Sequence, residues 1–149
     1  MAERTGGVPE EVLARYCKSI SCLDTLKVDE LTPDRVTARA RLTEAGLNGA
    51  GFAHGGWLFS LADVCSGLPA LASGNASVTQ DASISYLNPA SAGTEVDIDV
   101  EVLRRGRRSI VSEVRLTNGG AADDAAGTGE LLATGLFTHV MLGKLEEMA

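Results

Sequence analysis

The chain has 149 residues, of which 44% are hydrophobic, and its formal net charge at pH 7 is −7. This length predicts one domain with a sizeable core, and the acidic balance argues against non-specific binding to nucleic acid, which needs a basic surface. The sequence has neither a charge-free apolar run of about 18 residues nor a signal-peptide core, so we expect a cytoplasmic protein without a membrane span. The three cysteines lack zinc-type spacing, which predicts reduced thiols and no metal site.

The first predicted elements are one short helix and two strands. Residues 9 to about 18 are predicted to form an amphipathic helix, and Pro9 suits its first turn. Residues 23–28 and 35–42 are predicted to form two strands. A turn at 32–34, where the sequence reads Thr-Pro-Asp, joins these strands.

A long central helix is predicted next, over about 55–72. This segment is apolar on nearly every face, which is typical of a buried helix rather than a surface helix. Pro69 lies within the segment and is expected to kink or end the helix near that point, because proline lacks the N–H that a helix interior needs.

Four long strands are predicted after the helix, over 78–86, 96–102, 110–117 and about 130–140. Apolar and polar residues alternate in most of them, as in an antiparallel sheet with one polar face. In the first of these strands, strict alternation places Val78 on the same face as Tyr86 and places Thr79 on the opposite face. The glycine-rich stretch 118–129 has no apolar anchor and is predicted to be a mobile loop without chemistry.

The loop before the central helix and one acid within the helix form the first candidate site. Asp63 has apolar neighbours on both sides. Because ionised carboxylates are almost never buried without a partner, it is either a paired structural group or a working one. The loop supplies Asn48, His54, Gly55 and Gly56. Glycines let a ligand approach the backbone closely, and the first N–H groups of a helix attract negative charge. The segment therefore offers an oxyanion site and a carboxylate.

The spacing within this segment predicts a dimer. Gly55 and Asp63 are eight residues apart, and a helix rises about 1.5 Å per residue, which separates them by roughly 12 Å along the axis. One helix therefore cannot bring both to a single carbonyl group. Two antiparallel copies related by a two-fold axis set the start of one helix beside the middle of the other, which gives two sites across the interface.

A second candidate site is a basic turn in this acidic chain. Four arginines surround Gly106 in a pattern typical of a hairpin turn, and they are Arg104, Arg105, Arg107 and Arg108. Guanidinium groups are suited to hold phosphates. The alternative is a solvated turn that discourages pairing at a sheet edge, and the residues alone do not decide between the two.

Four motifs together resemble one family. They are N-x-x-G-x-x-HGG-x-x-F-x-LAD at 48–63, ISYLNPA at 84–90, RRGRRSIVSEVRL at 104–116 and ATGLFTHV at 133–140. In order and spacing they resemble the hotdog-fold acyl-CoA thioesterases, and within these the phenylacetic-acid-degradation branch related to the 4-hydroxybenzoyl-CoA thioesterases. The resemblance covers nearly the whole chain. It implies a single α+β hotdog domain over 1–149, in which an antiparallel sheet of five to six strands wraps around one long helix.

The resemblance also implies an activity, a substrate class and an assembly. The activity is hydrolysis of an acyl-CoA ester, with an aryl or arylacetyl group favoured and a medium-chain group open. No cofactor is expected apart from the coenzyme A of the substrate. The implied assembly is a homodimer that pairs into a dimer-of-dimers homotetramer. The aromatic residues near the first motif are Phe52, Trp57 and Phe59, and core packing is favoured for them over lining an acyl pocket.

Roles for the loop and the helix follow from the matched positions. By resemblance, Asp63 is the catalytic carboxylate, acting either as a general base on water or as a nucleophile that forms an anhydride. The Gly55 N–H polarises the thioester carbonyl, and Gly56 lies beside it against the substrate. His54 helps to position the loop or the carbonyl, and Asn48 orients water or the acyl group.

Two further positions complete the family pattern, and one departs from it. Thr79 matches a position whose hydroxyl contacts the nucleophilic water, and the arginine turn gains a role in holding the phosphates of coenzyme A. Some members place a hydroxyl one helical turn after the acid, where this chain has Gly67 with Ser66 beside it. His139, near the end of the last strand, is interpreted as structural.

Two other classes of function stay open. A hotdog hydratase or dehydratase uses a His and acid pair with Asp two residues after the His. In this chain Gly56 occupies that place, which argues against this class. A non-catalytic acyl-CoA binding protein would keep the fold and the arginines but would not depend on the charge of Asp63.

Overall fold

One antiparallel sheet wraps a long helix. The computed structural model describes residues 5–17, 21–121 and 127–147. The helices are α1 (Glu10–Cys17) and α2 (Gly55–Ala72), and the strands are β1 (Lys27–Leu31), β2 (Arg35–Arg41), β3 (Asn75–Tyr86), β4 (Thr94–Arg105), β5 (Ser109–Ala121) and β6 (Leu131–Lys144). The strands form a single sheet in the order β1-β2-β4-β5-β6-β3, so β1 and β3 are its edges. This architecture confirms the predicted α+β fold with six strands around one central helix.

The core lies between α2 and the sheet, since α2 contacts every strand. Leu61 and Cys65 are fully buried, and Phe59 packs on Phe137 of β6 with ring centroids 5.2 Å apart. Full burial of an apolar side chain contributes about 1.5–3 kcal/mol to the stability of the fold. Most faces of α2 carry such buried side chains. Its bounds match the predicted 55–72. In the ranges that the structure describes, no helix is long and apolar enough to cross a membrane.

Pro69 lies in the last turn of α2, which ends at Ala72. Proline supplies no N–H to the preceding turn, but its own carbonyl is well bonded. The backbone N–H and the hydroxyl of Ser73 both donate to it, at 3.1 and 2.9 Å. The helix therefore ends within one turn of Pro69, as predicted.

The start of the sheet differs from the prediction. Residues Ser21–Leu23 form a 3-10 turn, and β1 begins at Lys27 instead of residue 23. Leu23 and Leu26 are both buried, and a spacing of three residues cannot place both on one face of a strand. Trp57 fixes this segment, because its indole N–H donates to the Cys22 carbonyl at 2.9 Å.

The predicted loop 118–129 is shorter than expected. β5 continues to Ala121, so the first four residues of that stretch belong to a strand. The predicted mobility of 122–126 falls outside the described residues, as does residue 18 at the end of the first predicted helix. Within the predicted range, α1 covers Glu10–Cys17.

A β-bulge in β3 overturns the predicted alternation. β3 pairs with β6, and the register slips by one residue at Gln80, which moves the following side chains to opposite faces. Val78 therefore lies on the outer face and is 48% exposed, whereas Thr79 and Tyr86 both hydrogen-bond to α2 on the inner face. The prediction that Val78 shares a face with Tyr86, opposite Thr79, is wrong, and the bulge is what brings the Thr79 hydroxyl to α2.

Candidate active site

The start of α2 presents one open backbone donor. His54 caps the helix, because its Nδ1 accepts the Gly56 N–H at 2.8 Å. The His54 N–H in turn donates to the Gly46 carbonyl at 2.7 Å, which fixes the loop. Within the described part of the chain, the Gly55 N–H has no protein acceptor. His54 thus holds the loop, and the donor available to a ligand at this helix end belongs to Gly55 and not to Gly56.

Asn48 closes the loop before the helix. Its Oδ1 accepts the N–H groups of Ala50 and Phe52 at 2.9 and 3.1 Å, and its own N–H donates to the Phe52 carbonyl at 2.7 Å. This is the local turn that asparagine side chains favour. The side-chain oxygen is therefore occupied within the loop, and the Nδ2 amide is the part of Asn48 that remains for water or substrate.

Tyr86 clamps the same helix start from β3. Its hydroxyl donates to the Gly55 carbonyl at 2.8 Å, and burial raises the pKa of the phenol, which keeps it a donor. A Cβ atom at Gly55 would lie 3.2 Å from Tyr86 Cζ, so any larger residue here would push the phenol ring away from the helix start. The sequence reasoning missed Tyr86, whose only signal was its place in the ISYLNPA motif.

A cavity of about 430 Å³ opens beside this donor. Its wall includes Gly55, Asn48, Phe52, Tyr86 and Leu87. The last three of these have large exposed apolar surfaces. The cavity is large enough to hold a small acyl group next to the Gly55 N–H.

Asp63 is held through one of its two carboxylate oxygens. Its Oδ1 accepts the Thr79 hydroxyl at 2.5 Å, within the range of a charge-assisted O–H···O⁻ bond. The side chain is 34% exposed, and Oδ2 has no protein partner among the residues described here. Asp63 is thus both paired and open: Thr79 fixes its orientation while Oδ2 faces outward. The Thr79 oxygen retains lone pairs that can accept a hydrogen bond from water.

A buried histidine lies behind this carboxylate. His139 Nε2 is 3.9 Å from Asp63 Oδ1 and 2.9 Å from the Ser66 hydroxyl oxygen. Burial lowers the pKa of His139, and the neighbouring Asp63 opposes that shift. The sequence interpretation of His139 as purely structural did not anticipate this contact, because nothing local links a residue of β6 to the middle of α2.

The arginine turn is the predicted hairpin between β4 and β5, closed by the bond from Gly106 N–H to the Ser109 carbonyl at 2.8 Å. Its members differ in their contacts. Arg105 donates to the Ser73 hydroxyl at 3.0 Å and to the Pro33 carbonyl, so it ties the turn to the end of α2. The other three arginines, Arg104, Arg107 and Arg108, are exposed.

The aromatic residues near the motif divide between core and cavity. Trp57 is 4% exposed and Phe59 packs against β6, so both belong to the core. Phe52 is 41% exposed and lines the cavity. Gly55 lies at the start of α2 and Asp63 at its middle, so the two halves of the predicted site do not meet within one protomer.

Comparison with known proteins agrees with this geometry. A model of the thioesterase superfamily matches residues 50–124, which include the Gly55 donor, Asp63 and Thr79. The chain belongs to the thioesterase superfamily. The resemblance seen in the sequence is therefore confirmed, and so is the assignment of this thioesterase as a thioester hydrolase.

Individual relatives extend over most of the chain. Acyl-coenzyme A thioesterase 13 of Homo sapiens is 32% identical over 108 residues, which cover 71% of this chain and 72% of the relative. Acyl-coenzyme A thioesterase PaaI of Escherichia coli is 30% identical over 100 residues, which cover 66% and 71%. The crystal structure of smu.793 from Streptococcus mutans UA159 bound to acetyl CoA superposes with a TM-score of 0.74 at 29% identity, covering 85% of this thioesterase and 96% of that chain.

Proposed function

We propose that this thioesterase hydrolyses acyl-CoA esters to a free acid and coenzyme A, at two sites that each combine residues of two copies. The observation that carries the proposal is the pair of open groups on α2: the Gly55 N–H, which has no acceptor among the described residues, and an outward carboxylate oxygen at Asp63. The curated relatives, named acyl-coenzyme A thioesterases, support the substrate class.

A half-exposed stripe on α2 supports the dimer. Gly56, Ser60, Asp63 and Gly67 recur at helical spacing and are exposed or half-buried, on a helix that is otherwise largely buried. β3 is an edge strand of 12 residues. The backbone N–H and C=O groups along its free edge are a template for pairing with another strand. An antiparallel copy placed against both features would set Gly55 of one protomer beside Asp63 of its partner.

The mechanism that follows uses few groups. The Gly55 N–H binds the carbonyl oxygen and stabilises the negative charge that develops on it. Asp63 of the partner subunit removes a proton from water as that water attacks the carbonyl carbon, or attacks through Oδ2 and forms an anhydride that water then cleaves. In either route the C–S bond breaks, and the departing thiolate of coenzyme A takes up a proton from solvent. Thr79 orients Asp63 and accepts a hydrogen bond from the water.

The substrate contacts divide between the cavity and the turn. Phe52 and Leu87 form apolar walls beside the Gly55 donor, which supports an aryl, arylacetyl or medium-chain acyl group. The exposed guanidinium groups of Arg104, Arg107 and Arg108 are available to the coenzyme A phosphates. We expect the double variant Arg107→Ala and Arg108→Ala to raise KM for CoA esters far more than it lowers kcat. An unchanged KM would remove these arginines from the site.

The decisive assay is thiol release, measured with a coloured thiol reagent. Phenylacetyl-, benzoyl-, hydroxybenzoyl-, short- and medium-chain acyl-CoA are compared on the wild type and on Asp63→Asn. Loss of the base or nucleophile should lower turnover by about a hundredfold or more. Asp81→Asn, an exposed acid on the outer face of the same region, is the matched control and should retain turnover. No wild-type turnover, with intact substrate recovered bound, would favour the binding protein instead.

The dimer has its own test. Ser60→Arg places a long charged side chain in the α2 stripe, one turn before Asp63, and leaves Asp63 and Gly55 themselves unchanged. We expect light scattering to show monomers and the thiol assay to show no turnover. A monomeric variant with wild-type turnover would refute the composite site.

The outer face of the sheet supports the larger assembly. Val78, Leu136 and Leu142 of β3 and β6 are 48%, 48% and 55% exposed, and large exposed apolar side chains on one pair of strands favour an interface there. We place the second dimer of the predicted homotetramer here, and expect Leu136→Asp to give active dimers in light scattering. The cytoplasmic location stays a prediction of the sequence.

A further inference from the structure

Two polar side chains are buried where α2 meets β6. Ser66 is 1% exposed and His139 is 4% exposed, among side chains that are mostly apolar. Burying polar groups is unfavourable unless they are hydrogen-bonded. The pair lies directly behind Asp63, and the mechanism above does not use it.

The hydrogen-bond geometry favours one arrangement of protons. The Ser66 hydroxyl has a single hydrogen and lies 3.1 Å from the Asp63 carbonyl oxygen and 2.9 Å from His139 Nε2. If the Ser66 hydroxyl donates to the backbone carbonyl of Asp63, it must accept a hydrogen bond from His139 Nε2–H. Both the hydroxyl and the Nε2–H donor then have an acceptor. This tautomer keeps the hydrogen on the ring nitrogen that lies 3.9 Å from Asp63 Oδ1.

We propose that neutral His139, as the Nε2–H tautomer, is a positioning residue that works with Thr79 to fix Asp63 Oδ1 and so turn Oδ2 toward the thioester. The two groups approach Oδ1 from neighbouring strands, since Thr79 of β3 is paired with His139 of β6. This role rests on the proposed function of Asp63 and adds the element that sets its orientation.

Gly67 accounts for the departure from the family pattern. A Cβ atom at this position would lie 3.1 Å from His139 Cε1 and 3.3 Å from Nδ1, closer than ordinary contact. The imidazole therefore occupies the space that a side chain at Gly67 would need. By the resemblance seen in the sequence, some members of the family carry a hydroxyl one turn after the acid, and at that position this chain carries a glycine beside the ring.

Protonation of His139 would change the field at Asp63. Asp63 of α2 is the titratable group that faces the ring, because the cross-strand neighbours are Thr79 of β3 and Ile110 of β5, which carry no charge. Burial lowers the pKa of His139 below the ordinary 6.5, so the ring is neutral at pH 7. At acid pH an imidazolium 3.9 Å from Oδ1 would pair with the carboxylate and weaken it as a base or nucleophile.

Kinetics of three variants test the proposal. His139→Leu removes the donor, His139→Gln supplies an N–H that does not titrate, and Phe137→Leu is a matched core variant of the same strand. We expect His139→Leu to lower kcat about tenfold at pH 7.5 with KM unchanged, and His139→Gln to return it to within about threefold of the wild type. The acid limb of kcat/KM should lose one ionisation in His139→Gln. Phe137→Leu should lower only the melting temperature.

A second measurement does not depend on activity. The sequence has two histidines, so NMR can follow each imidazole separately. We expect the His139 signals to show the Nε2–H tautomer, and Asp63→Asn to move the titration of His139 to lower pH, because it removes the charge that favours the imidazolium. An unmoved titration, or His139→Leu with wild-type kcat and acid limb, would overturn the role of His139. If the wild type does not hydrolyse acyl-CoA but Asp63→Asn still shifts the titration of His139, the proposed function alone is refuted.

Discussion

Thr79→Val is expected to lower kcat about 10- to 30-fold while KM stays near the wild-type value. The Thr79 hydroxyl donates to Asp63 Oδ1 at 2.5 Å, and hydrogen bonds to charged groups contribute about 1.5–3 kcal/mol. Because Asp63 is 34% exposed, solvent screens part of this, and we take about 1.5–2 kcal/mol from the lower half of that range. Each 1.36 kcal/mol changes a rate about tenfold, which gives the stated loss if the bond serves the transition state.

The thiol-release assay at saturating acyl-CoA measures this effect, with two control variants. Thr79→Ser keeps the hydroxyl and should retain kcat within about threefold of the wild type, a loss below 1 kcal/mol. Ser83→Ala removes an exposed hydroxyl of β3 on the outer face and should change neither constant. If Thr79→Val turns over like the wild type, or if Thr79→Ser is as slow as Thr79→Val, the hydroxyl does not act through Asp63.

Three further substitutions test the surroundings of the site. Trp57→Phe loses the bond from the indole N–H to the Cys22 carbonyl and should lower the free energy of unfolding in urea by about 1–2 kcal/mol, with kcat unchanged. Gly67→Ala should lower both kcat and the melting temperature, although alanine favours helices, because its Cβ would displace the His139 ring; an unchanged kcat would contradict this. Arg105→Ala should lower the melting temperature by about 2–4 °C, as expected for a loss near 1 kcal/mol, without raising KM.

The sequence predicted the features that depend on short-range patterns of residue types. The continuous apolar segment predicted α2 with the correct bounds, because a long segment that is apolar on nearly every face is typical of a buried helix. The glycine pair at its start and the lone acid within it identified both open groups of the site. His54 was expected to hold the loop, and it does so as the helix cap.

The features that the sequence did not predict depend on register and on contacts between distant elements. The bulge at Gln80 has no marker in its own residue type, yet it decides that Thr79 and not its neighbour faces Asp63. His139 reaches the site only because β6 lies beside β3 in the sheet, and strand order is not a property of either segment. Arg105 looks like its three neighbours in the sequence, and only its contacts with distant residues, Ser73 and Pro33, separate it from them.

The exposed edge of β3 has a consequence for the protein outside its catalytic cycle. The strand spans 12 residues and carries a single charged side chain, Asp81, whereas natural edge strands are usually protected by charges or proline. Outside the proposed dimer, a protomer would expose a long, nearly neutral β-segment of the kind that seeds aggregation. The proposed dimer would then couple assembly to solubility, and conditions that dissociate it are expected to cause irreversible loss of protein rather than a reversible pool of monomers.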